Sequence, residues 1–100
     1  MGVVPERYRS ALRDELSALA AGARPDLMTW VNDYGDVGAV LVTQPEAIWT
    51  HDGAHCVERS DGSSSVVLPL WTADESPSDL SAEFEITAGG SVEVTDVHVL

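Results

Sequence analysis

The run from Trp49 to Cys56, WTHDGAHC, holds two of the three histidines and the chain's single cysteine. Side chains of these types can chelate a transition metal if their donors converge on one point. They can also make a nucleophile, with a histidine drawing the proton from the thiol. Both chemistries need convergence, and the local sequence argues against it. Asp52-Gly53 is a strong signal for a two-residue hairpin turn. Such a turn pairs His51 with Ala54, Thr50 with His55, Trp49 with Cys56 and Ile48 with Val57. Successive strand side chains alternate faces, so His51, Trp49 and Cys56 share one face and His55 lies on the other. The expectation is therefore no metal, no cofactor and no catalytic residue, in this run or elsewhere in the chain. Cys56 is expected as a small buried hydrophobe opposite Trp49, since nothing nearby supplies the positive charge that lowers a thiol pKa.

The elements that would carry these residues follow from periodicity. Between Pro5 and Ala21, Tyr8, Leu12, Leu16 and Leu19 recur at helical spacing, with Ala11 and Ala20 widening the stripe. Pro5 suits the first turn and Gly22 the position just past the last. A second short helix is expected from about Asp26, with Leu27, Trp30 and Val31 inward and Gly35 and Gly38 ending it. The β-branched run AVLVTQ, residues 39–44, reads as a strand. A second hairpin turns at Asp61-Gly62, setting Val57 against Val66 and Cys56 against Val67. The run VVLPLW is then apolar on both faces and suits a central strand, although Pro69 cannot donate to a ladder.

The clearest β signal is LSAEFEITA, where Leu80, Ala82, Phe84, Ile86 and Ala88 alternate with Ser81, Glu83, Glu85 and Thr87. Gly89-Gly90 turns the chain. In the last strand Val92 and Val94 have one parity and Val97 and Val99 the other, so a β-bulge at Thr95-Asp96 is needed. It would place Val97 beside Phe84 and leave His98 outward, near Glu83. The predicted architecture is one α+β domain over residues 1–100. An N-terminal amphipathic helix, with a second short one, packs on a mostly antiparallel sheet of about four to five strands.

Composition limits what such a domain can do. Seventeen acids stand against five basic residues, all arginine, for a net charge of −12. The imbalance is local: residues 25–100 carry fourteen acids and only Arg59. A field of that sign repels nucleic acid and anionic lipid and steers towards basic protein surfaces. The acidic loop with Asp74, Glu75 and Asp79 lacks the ordered oxygen spacing of a calcium loop. One cysteine allows no internal disulfide, no apolar run approaches the roughly 18 residues of a membrane span, and the first residues lack a signal-peptide h-region. A cytoplasmic protein is expected.

The phrases LPLWTADESPSDL and DVHVL resemble a family of small bacterial domains of unknown function. Its members carry a Leu-Pro-Leu-Trp-Thr run, an acidic linker, a Ser-Asp-Leu strand start and a closing Asp-x-His-Val-Leu. The resemblance covers roughly residues 66–100, with a looser fit over the N-terminal helix. It implies an α+β domain whose tail is a structural strand, and it transfers no catalytic residue.

Three function classes follow. The first is a non-catalytic acidic interaction protein, in the manner of an immunity protein or antitoxin, binding a basic protein partner through the outward row Glu83, Glu85 and Glu93. The second is a small-ligand binder whose apolar pocket is lined by Trp30, Trp49 and Trp71. The third is a small enzyme, for which no paired carboxylates, phosphate loop or triad spacing stands out.

Overall fold

The computed structural model describes residues 4–34 and 38–99. Helix α1, Glu6–Ala20, buries Leu12, Leu16 and Leu19. It stops at a Schellman motif: Gly22 takes φ +81°, its N–H bonds the Leu19 carbonyl at 3.1 Å, and the Ala23 N–H bonds the Ala18 carbonyl at 2.9 Å. A 3-10 turn, Pro25–Leu27, leads into one turn of helix, α2, Thr29–Asn32. Val31 is its buried residue, whereas Trp30, expected inward, is 51% exposed. On this turn the valine takes the core position and the adjacent tryptophan stays in solvent. The Gly35 stop lies outside the described residues.

Four strands follow: β1 His55–Glu58, β2 Ser64–Pro69, β3 Leu80–Ile86 and β4 Val92–Val99. They form one antiparallel meander in the order β1-β2-β3-β4. With α1 ahead of it, the domain is α+β. The inner sheet face carries Val66, Leu68, Leu80, Ala82, Phe84, Ile86, Val94 and Val97, packed with the buried stripe of α1 and with Val4, Ile48 and Trp49. Among the described residues no helix is long and apolar enough to cross a membrane.

Three local expectations are corrected. Residues 39–44 are extended but make one bridge, Leu41 to Thr72, instead of a strand. The Gln44 amide donates to the Val42 and Trp71 carbonyls and its oxygen accepts from the Trp71 N–H. The Gln44 side chain takes the Trp71 N–H and shares the Trp71 carbonyl with the Val42 N–H, so the backbone pairing stays local to the bridge.

The second correction concerns residues 46–49, which form a 3-10 turn, not a strand. Pro45 opens it, accepting from the Ile48 N–H at 3.0 Å. The turn drives the adjacent Ile48 and Trp49 into the core together, which a half-covered strand cannot do. Asp52-Gly53 does turn the chain, with the Ala54 N–H on the His51 carbonyl at 2.9 Å, but it joins no paired strands.

The third is register. Cys56 pairs with Val66 and Val57 with Ser65, one residue away from expectation, because the β1–β2 loop has three residues. The Arg59 N–H bonds the Ser63 carbonyl, the Gly62 N–H bonds the Arg59 carbonyl, and Gly62 takes φ +89°. That combination is a type I turn closed by a left-handed glycine. In this register Cys56 lies opposite the buried Val66 and faces inward, as its expected burial requires, while Val57 is 60% exposed on the outside. The β3–β4 loop repeats the device with Thr87, Ser91 and Gly90, whose φ is +92°.

Pro69 fits the central strand for a directional reason. The Leu70 N–H bonds the Leu80 carbonyl on the β3 side, so the neighbouring Pro69 nitrogen faces the β1 side. There β1 has not begun: its first residue, His55, pairs with Val67. The donor that proline lacks has no ladder partner to lose.

Candidate functional site on the open sheet face

Helix α1 covers only the inner face of the sheet. The cross-strand pairs order the outer face into three rows: Val57, Ser65, Glu85 and Glu93; then His55, Val67, Glu83 and Asp96; then Pro69, Ser81 and His98. Pro69 and Ser81 are buried, but Val57, His55, Glu85, Glu93 and Asp96 are exposed. The sheet therefore shows solvent a four-carboxylate patch, with Val57 at one rim.

The bulge that parity required is present. Glu83 pairs with Asp96 and Phe84 with Val94, leaving Thr95 as the extra residue. The Thr95 hydroxyl donates to the Glu83 carbonyl at 3.2 Å, which pins the bulge. Val97 returns to the core opposite Ala82, one inward position along β3 from Phe84. His98 stays outside and hydrogen-bonds the Glu83 carboxylate.

The carboxylates differ in how they are held. Arg59 grips Glu85 with two bonds, 2.9 and 3.1 Å, and the Ser65 hydroxyl donates to it. The Arg59 bond first, and Ser65 next, keep the Glu85 carboxyl below its usual range. Asp96 accepts from the Val97 N–H at 2.9 Å. Glu93, opposite Glu85, has no hydrogen-bond partner among the described residues. Of the expected row, then, Glu83 and Glu85 are engaged within the chain and Glu93 is not.

Partial burial pulls the His98 imidazolium down, but the Glu83 carboxylate, the Val99 carbonyl and Asp96 outweigh it and hold the pKa above the ordinary 6.5. A pKa raised by folding contributes stability that is complete below about 6.5 and is lost as pH rises through the raised value. An NMR titration of His98 should give a midpoint above 6.5, moved down by Glu83→Gln. A wild-type midpoint at or below 6.5 would contradict the pairing.

The residues that opened the chemical question diverge. His51 sits in the turn before β1, its Nδ1 accepting from the Gly53 N–H at 2.9 Å, its ring edge-on to Trp71 at 5.5 Å. His55 lies on the outer sheet face and Cys56, half-buried, on the inner. Burial first, and Glu58 next, raise the Cys56 thiol above 9.0 against the opposing pull of Arg7. At neutral pH a thiol reagent should label native Cys56 far more slowly than the unfolded chain; equal rates would contradict this placement.

The tryptophans also part. Trp30 is exposed on α2 and Trp71 is half-buried beside His51. Trp49 is buried, donating its indole N–H to Glu46, with the Arg13 guanidinium 5.2 Å from its ring centroid. The groove that Trp49 lines is otherwise polar, made of Glu6, Arg9, Ser10, Arg13 and Glu46.

Among the described residues one set of three or more metal-ligating side chains converges: Glu83, Asp96 and His98, with their ligand atoms within 4.8 Å of one another. Sequence reasoning missed it by looking for donors close in the chain. The signal was there in the Asp-x-His spacing, which puts two donors on one strand face, together with the bulge that brings them to Glu83.

A family model described as "Domain of unknown function (DUF7668)" matches residues 2–100. No curated protein matches, and no solved structure does.

Proposed function

The chain belongs to the DUF7668 family, and from the geometry of this member we propose a non-catalytic interaction protein that docks the open sheet face on a basic surface of a partner protein, in the manner of an immunity protein or antitoxin. The observation that carries the proposal is the asymmetry of the sheet. One face is packed by α1, while the other displays Glu83, Glu85, Glu93 and Asp96 to solvent. Arg59 and His98 offset two of these, so the free charge concentrates on β4, at Glu93 and Asp96. With a net charge of −12, the whole chain adds a field that draws a cationic partner towards this face. Val57 supplies an apolar contact at the rim, as docking patches that combine charged and apolar groups do.

Affinity capture from the source cells tests the proposal. Wild-type bait should retain a basic protein that bait carrying Glu83→Gln, Glu85→Gln and Glu93→Gln loses. A control with Glu6→Gln, Asp14→Asn and Asp26→Asn, exposed positions away from this face, removes the same charge and should retain it. Equal loss in both variants would mean that net charge alone acts, and the face would have no special role.

A further inference from the structure

We propose that Glu83, Asp96 and His98 form a binding site for a divalent transition-metal ion, of the zinc class, on the open face of the sheet. Asp96 and His98 stand two apart on β4 and share its outer face, and Glu83 pairs directly with Asp96 from β3. Their donor atoms already lie within 4.8 Å of one another, and small side-chain rotations bring them to metal bonds of about 2.0–2.2 Å. An imidazole nitrogen with two carboxylates suits zinc and its neighbours; calcium and magnesium prefer oxygen alone.

Two further observations point to a cation here. The first is the orientation of the ring. His98 Nδ1 lies 3.4 Å from the Val99 carbonyl, the contact that a metal-ligating histidine makes with its second nitrogen. In the neutral ring that leaves a lone pair on Nε2, aimed at the Glu83 carboxylate. A cation can take the place of the proton that Nε2 and the Glu83 carboxylate share. The Val97 N–H holds Asp96 in a comparable way.

The second is the contrast with the neighbouring row. Like charges directly opposite in a sheet destabilise it. In the Glu85–Glu93 pair Arg59 binds Glu85, whereas the Glu83–Asp96 pair has His98 as its cationic partner among the described residues, and that charge is lost when the ring gives up its proton. A dication would supply the missing charge. Three protein ligands leave at least one coordination position for water or for a side chain of another molecule.

The test is calorimetric titration of zinc chloride into untagged full-length protein at mildly alkaline pH, where the imidazole is neutral. The expected result is one ion per chain, with His98→Ala and Asp96→Asn each weakening binding at least about tenfold. Asp96 is exposed, so its variant keeps the test valid if His98→Ala fails to fold. The double variant His51→Ala, His55→Ala should bind as wild type does. Absence of saturable binding, binding unchanged by Asp96→Asn, or binding lost in the His51/His55 variant would each overturn the site. Partner capture is read separately, so the docking proposal and the metal site can fail independently.

Discussion

Phe84→Ala should destabilise the domain by about 3–5 kcal/mol, the usual cost of truncating a buried phenylalanine. Phe84 is 1% exposed and heads the largest fully buried side chains. It is central in the sheet, between Val66 on β2 and Val94 on β4, and it sits beside the bulge. Removing its ring empties space that strands on both sides would have to close, and the bulge limits how β4 can move. Against a total stability of roughly 5–15 kcal/mol for a domain of this kind, the loss is from about a fifth to the whole of the total, and the midpoint of urea unfolding should fall by that share. Phe84→Leu, which keeps most of the volume, should recover much of it. A loss below about 1 kcal/mol for the alanine variant, outside the range for such truncations, would mean that this residue is not in the core.

Leu16→Ala should cost about 2–5 kcal/mol, and it tests a different contact. Leu16 is 3% exposed on the buried face of α1, where helix meets sheet. The helix has no side-chain N-cap and no basic residue in its last turn, so beyond its glycine stop its order depends on burying this stripe. Urea unfolding followed by far-ultraviolet circular dichroism measures the loss. A value under about half a kcal/mol, the scale of surface substitutions, would place α1 away from the sheet.

What the sequence shows and what it hides divide along a physical line. Long periodic segments are legible because burial enforces the period: Leu12, Leu16 and Leu19 of α1, its glycine stop and the inward Leu80, Ala82, Phe84 and Ile86 of β3 stand as expected, whereas Ala20 and Ala88 are exposed and Ser81 is buried. The bulge at Thr95 is legible for the same reason, since Val94 and Val97 can both reach the core only if one residue between them is absorbed.

Loop geometry is less legible. Asp-Gly marks a turn at both 52–53 and 61–62 but does not state its length or what it joins. One turn falls after a 3-10 segment, and the other closes a three-residue loop that moves the β1–β2 register by one residue. The Trp30 placement depended on the orientation of a single helical turn, which four residues cannot specify. The site was half legible. Alternation puts Glu83 and Glu85 outward and the bulge brings His98 to Glu83. The ion pair from Arg59 to Glu85 depends on the loop, and it shifts the free charge towards β4.

The central claim is that the open acidic face docks a basic protein surface. Its most direct measurement is the association rate of the captured basic partner as a function of salt. The rate should fall steeply as ionic strength passes about 0.1 M, where the Debye length is about 10 Å. It should also be slower for the Glu83→Gln, Glu85→Gln, Glu93→Gln variant, with stability changed by no more than about half a kcal/mol per exposed charge. A rate that stays flat from low to high salt and is the same for wild type and variant would contradict the claim.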